Sequence, residues 1–267
     1  MPYPNDPNRA LAADAAPSPM PPWQRLRDVF FSPGAVFAAA RQKPDFVAPM
    51  LAMAVLAASF SIVFAYWVKV DHREVARRAI ERQLELQGKR WNDLSDAEQR
   101  QYEQGIEFSA SLQRFAPAVG VGVGVLFTLA LAGLYYLGML LMRGQASFAQ
   151  TLSVTAYAVY ATDSVKYALS LLVILLRPPD VEQIIKARGS FVVSNPAPLL
   201  PESLPAWLLA AASWVDAFSI WFIALMAIGL AAIAYKKTPR QMVVIPAGLW
   251  LLGVFGSAIF ALVTGAK

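Results

Sequence analysis

Apolar residues gather into five long runs, at 46–68, 115–142, 152–176, 217–235 and 243–263. A helix rises about 1.5 Å per residue, so roughly 20 apolar residues bridge the ~30 Å hydrocarbon core of a bilayer. The runs are fenced by charge or proline. Asp45 and Lys69 bracket the first, Arg143 closes the second, Arg177-Pro178-Pro179 the third and Lys236-Lys237 the fourth. The fourth run begins at Ala206 and is longer than one crossing needs. Asp216 divides it into an interfacial piece, AWLLAAASWV, and a crossing from Ala217, with Trp207, Trp214 and Trp221 marking the aromatic belt.

The segments between the runs carry their own signals. Residues 1–22 are proline-rich with little that can pack and read as a disordered tail. In WQRLRDVFFSPGAVFAAARQ the residues Trp23, Leu26, Val29 and Phe30 fall at helical spacing opposite Arg25, Arg27 and Asp28. Ser32 before Pro33 restarts a second short helix, the serine as cap and the proline at the first helical position. Two readings of this amphipathic pair stand side by side: it lies in the membrane interface, or it packs on the cytosolic end of the bundle. Residues 69–114 carry nine basic and nine acidic side chains and read as a polar helical hairpin broken near Gly88. Its second arm opens on Ser95-Asp96-Ala97-Glu98, a capping-box pattern. In the second run, Gly120 and Gly124 have the spacing of a close-packing seam between membrane helices.

Composition sharpens the membrane reading: 57% of residues are hydrophobic and 15% charged, against the ~25% charged of a soluble domain. Absence of cysteine excludes disulfides and thiol chemistry. With His72 as the single histidine, inside a charged segment, neither a histidine metal cluster nor an evident catalytic triad is available. The expectation is a non-enzyme without cofactor, metal or catalytic residues. The net charge of +5 is scattered among acids, which points to anionic lipid headgroups and away from nucleic acid. The amino-terminal residues lack a basic start followed by an apolar core, so the first crossing is expected to serve as an uncleaved targeting signal. Short-loop basic residues Arg143, Lys236, Lys237 and Arg240 favour a cytoplasmic amino terminus and an outside carboxyl terminus.

Asp163 and Lys166 stand out because they lie inside the third run. A charge at the bilayer centre costs about 2.5–3.5 kcal/mol on insertion scales. Three residues apart on a helix, acid first, the two can neutralise each other. They serve either as a polar spot, with Thr162 and Tyr167, that fixes helix packing, or as the wall of a polar cavity for a headgroup, ion or small solute. Asp216 is the third candidate, with favourable placement at a helix start as its simpler explanation.

Three stretches, VFFSPGAVFAAARQKPDFVAPML, GQASFAQTLSVTAYA and WVDAFSIWFIALMAIGLA, carry Phe37, Pro44, Pro49, Asp216, Phe218, Trp221 and Gly229. In this order, and with five apolar runs, the chain resembles the bacterial branch of the Yip domain family from about Trp23 to Val263. It departs from the family where Ala161-Thr162-Asp163 stands in place of a proline. The resemblance implies an all-α polytopic protein of the bacterial inner membrane with five transmembrane helices. It also implies a structural or interaction module. Its expected partners are membrane lipid, another membrane protein such as an exporter of the ATP-binding-cassette class, or a second copy. A transporter or channel component using Asp163/Lys166 is the alternative.

Overall fold

The computed structural model describes residues 20–68, 71–112, 115–187, 191–192, 194–201 and 204–264. The expected tail lies outside these except for its last residues, and Pro22 already belongs to a helix. In chain order the α-helices are α1 (Pro22–Asp28), α2 (Pro33–Gln42), α3 (Val47–Val68), α4 (His72–Leu86), α5 (Asp96–Leu112) and α6 (Ala116–Leu141). They continue as α7 (Phe148–Leu176), α8 (Val181–Ala187), α9 (Ala206–Ser213), α10 (Ala217–Ile233), α11 (Pro239–Met242) and α12 (Val244–Thr264). No strand occurs among the described residues.

Helices α3, α6, α7 and the continuous α11–α12 unit are each long and apolar enough to cross a membrane. The fifth candidate is the pair α9 and α10, bent by 51°. The break falls at Trp214–Asp216, as the sequence reading placed it. However, α9 does not lie apart at the surface: it packs along α12. The side chain of Trp214 rests on Gly253, where an added Cβ would sit 2.6 Å from the indole. The Trp221 ring packs 6.4 Å from that of Phe30.

Helix α7 is the centre of the bundle. It starts four residues earlier than the third apolar run because Ser147 and Gln150 form a reciprocal capping box. It stops at Arg177, before two prolines that lack the amide a helix needs. Between these ends it is unbroken through Asp163. Its first half is buried although it is rich in hydroxyls. Thr151, Thr155 and Thr162 donate to carbonyls one turn back, so they enter the core satisfied.

The amino-terminal elbow, α1 and α2, is wedged against this half of α7 and against α10. Val29, Val36, Phe37 and Ala40 have no exposed surface. Arg25, 3% exposed, closes the elbow by donating to the carbonyls of Met20 and Lys43, at 3.0 and 2.8 Å. Of the two sequence readings, packing on the bundle is therefore realised, while Trp23 and Phe31 remain exposed on the outer side. Ser32 sits at the cap position but makes no side-chain capping bond; Pro33 alone shapes the start of α2. Asp45 then ties α2 and α3 to α7. Its backbone exchanges two hydrogen bonds with the Ser153 hydroxyl. Its carboxylate caps Ala48 and accepts from the Tyr157 hydroxyl.

Close helix approach is made at glycines other than those the spacing favours. A Cβ at Gly138 would fall 2.5 Å from Ile245 Cγ2, and one at Gly229 would overlap Val154 beside the Phe37 ring. Around Gly120, Gly122 and Gly124 there is open space. Helix α6 ends in a Schellman turn, with Gly144 N–H donating to Met139 O and Arg143 N–H to Leu140 O. Arg143, not the neighbouring glycine, takes the left-handed position at φ 53°.

The hairpin expected at residues 69–114 is formed by α4 and α5, which pack together. Ser95 and Glu98 make the capping box. Arg73 pairs with Glu107 across the arms, and the Arg77 guanidinium stacks on Trp91, itself against Tyr102.

Candidate functional site

Asp163 and Lys166 sit near the middle of α7, fifteen residues after Phe148 and ten before Leu176 respectively. At about 1.5 Å per residue the acid is roughly 22 Å from the helix start. Lys166 Nζ stands 3.8 Å from Asp163 Oδ1, and the two side chains are 40% and 39% exposed. The pair is thus mutually compensating but not sealed in a helix seam.

What the pair faces is a cleft of about 650 Å³ bounded by α6, α7, α10 and α12. Its walls are mostly apolar: Phe127, Leu131 and Leu134 from α6, Phe222 and Ile223 from α10, Leu249 and Leu252 from α12. Trp214, Phe218 and Trp250 add aromatic surface to the lining. The Lys166 ammonium lies 5.2 Å from the Phe218 ring centroid, the geometry of a cation–π contact. Leu252 of this lining is 68% exposed.

Thr162 lines this cleft beside the pair, and Tyr167 lines a smaller cavity together with Asp163. Thr162 bonds back to its own helix, and Tyr167 packs on Phe60 of α3. Asp216 makes no ion pair among the described residues. It caps α10, its Oδ1 accepting from Phe218 N and Ser219 N at 2.8 and 3.0 Å, and its Oδ2 from the Ser219 hydroxyl at 2.6 Å. Its effect on the cleft is indirect, through the placement of Phe218 and Ser219. A second, smaller cavity of about 100 Å³ lies between α3, α6 and α7. Asp163 and Phe127 line both cavities.

Sequence reasoning missed the aromatic lining. One signal for it was present: Trp250 lies well inside an apolar run, where tryptophan is out of its usual interfacial place. Its indole N–H is satisfied by the Trp214 carbonyl at 3.0 Å. Among the described residues no group of three histidine, aspartate or glutamate side chains could hold a metal ion.

The arrangement of α1–α2 against α7 and α10 joins the three stretches that carried the family resemblance. Comparison with family models decides the point: the Yip1 domain model matches residues 27–260. The chain belongs to the Yip1 domain family. No curated protein and no solved structure matches it. In this Yip1-domain protein the matched region begins at the end of α1 and takes in α2, the hairpin and the candidate membrane spans up to residue 260 of the last. The cleft and the Asp163/Lys166 pair lie within the matched residues.

Proposed function

We propose that this Yip1-domain membrane protein is a non-catalytic binding module that accepts a bilayer-borne ligand sideways into the cleft between α6, α7, α10 and α12. One observation carries the reading: a charged pair at mid-helix, with both side chains partly exposed, lines a cleft whose other walls are mostly apolar. Ionisable groups inside membrane helices are costly and mark ligand or ion pathways. The mostly apolar walls suit a ligand that itself comes from the bilayer.

Residence in the bacterial inner membrane with a cytoplasmic amino terminus follows the distribution of charge. The bond from Tyr235 N–H to Gly144 O brings the loops of Arg143 and of Lys236, Lys237 and Arg240 together. Gln150 holds the Arg41 carbonyl at the same end. Such a basic face belongs on the cytoplasmic side.

The test is site-specific photo-crosslinking in native membranes. A photoreactive residue at Leu249, inside the cleft, gives a product that disappears when the cleft is filled by Ile223→Trp. One at Leu51, on the outer face of α3, gives products indifferent to that change. Identical products from both sites would refute a defined ligand site. A transport reading is favoured by the position of Asp163 on both cavities, with Phe127 beside it on each. It requires Phe127→Ala to raise solute or lipid flux in proteoliposomes.

A further inference from the structure

We infer that the ligand of this cleft is a zwitterionic aminophospholipid, its ammonium on Asp163 and its phosphodiester on Lys166. The inference rests on the lateral-cleft reading above. Three features of the site select this class.

The first is net charge. Asp163 and Lys166 together sum to zero, and the walls around them are apolar. A headgroup with net charge would leave one uncompensated charge in a medium of low dielectric, which is strongly unfavourable. A headgroup that carries one positive and one negative centre presents each to its opposite and leaves no excess.

The second is unsaturation of the pair. Its 3.8 Å separation exceeds the ~2.7–2.9 Å of a closed charge-assisted hydrogen bond. Each group can turn to an additional partner without giving up a tight contact. A carboxylate accepts from an ammonium, and a lysine ammonium donates to phosphate.

The third is shape. About 650 Å³ falls within the range of small-molecule sites, roughly 300–1,000 Å³, enough for a headgroup and the first part of its chains. Leu134, Leu249 and Leu252 provide the surface for those chains where the cleft opens outward. Phe218, 5.2 Å from the Lys166 ammonium, offers an aromatic face at the charged end, which attracts a bound ammonium. A transmembrane helix of a partner protein would fill the apolar part but would bring no zwitterion to the charged end.

The test uses the full chain, purified and delipidated in detergent. It is titrated separately with phosphatidylethanolamine, with net-anionic phosphatidylglycerol and with uncharged diacylglycerol, and binding is read by native mass spectrometry. Phosphatidylethanolamine is expected to bind at least about tenfold more tightly than either comparator, ~1.4 kcal/mol. The double variant Asp163→Asn/Lys166→Gln should lose this preference while still retaining lipid. Leu249→Trp, which occupies the cleft and keeps the pair, should lose retention itself. If the double variant does not fold, the exchanged pair Asp163→Lys/Lys166→Asp preserves neutrality and should keep the preference. Equal or tighter binding of phosphatidylglycerol overturns the headgroup assignment and leaves the lateral cleft standing. Lipid retention indifferent to Leu249→Trp overturns both, as would a cleft-dependent protein crosslink with no lipid retained.

Discussion

Gly229→Ala tests the packing at the heart of the bundle. The added methyl would overlap Val154 Cγ1 and approach the Phe37 ring at 3.2 and 3.3 Å. Val154 and Phe37 have no exposed surface, so neither can retreat toward solvent or lipid. Forcing an extra carbon into a filled core costs about 1–3 kcal/mol. The helix propensity gained by removing a glycine offsets up to ~1 kcal/mol of that. A net loss of roughly 1–2 kcal/mol is therefore expected. Gly120→Ala and Gly124→Ala add a methyl where nothing lies within 4 Å and should cost nothing. The assay is thermal unfolding of the purified protein in one detergent, followed by tryptophan fluorescence, with all three variants measured beside the parent. If Gly120→Ala or Gly124→Ala lowers the melting temperature while Gly229→Ala does not, the helix contacts assigned to α2, α7 and α10 are wrong.

Asp216→Ala removes the cap of α10 and should cost ~1 kcal/mol, within the 0.5–2 kcal/mol usual for such caps; Asp216→Asn should recover most of it in the same melting assay. Reporter tags at residue 1 and at Lys267 should appear on opposite sides of the membrane, because α9 and α10 together make one broken span; both tags on one side would show a re-entrant loop instead. The hydrogen bond from the Ser95 side chain, aided by its backbone amide, holds the Glu98 carboxyl below its usual range. A depressed folded value means the contribution is full above the unfolded pKa, about 4.5, and fades as pH falls through the lower folded value. Protease resistance of the α4–α5 hairpin should therefore decline with acid below about pH 4.5, and Glu98→Gln should flatten that dependence; an unchanged profile would remove the capping box from the account.

The membrane runs were legible because composition and length alone impose them, and the same holds for the capping box at Ser95. Ser147 and Gln150 follow the same pattern, so the earlier start of α7 was readable in principle but masked by the polar residues that follow. The elbow was half legible. Its helical spacing was plain, yet a face that meets lipid and a face that meets other helices have the same apolar period. Only the full burial of Val36 and Phe37 separates them. The Asp45–Ser153–Tyr157 network joins residues more than a hundred positions apart, and local pattern holds no trace of such a pairing. The glycine seam misled for a related reason: Gly120 and Gly124 have the right spacing, but whether a second helix arrives depends on the path of the whole chain.

The cleft itself traces back to Asp216. A straight helix over residues 206–233 could not follow α12 with its first part and α7 and α2 with its second. The 51° bend divides the two tasks and leaves the space into which Phe218 and Trp214 project. A bend inside lipid frees backbone groups, each costing several kcal/mol if left unpaired. Here the freed amides of Phe218 and Ser219 go to the Asp216 carboxylate, and the Trp214 carbonyl accepts from the indole of Trp250. One acidic side chain thus makes the break tolerable. The start of α10 after the break places Phe218 against Lys166. Of the three intramembrane charges that the sequence brings forward, two face the cleft and the third builds its wall.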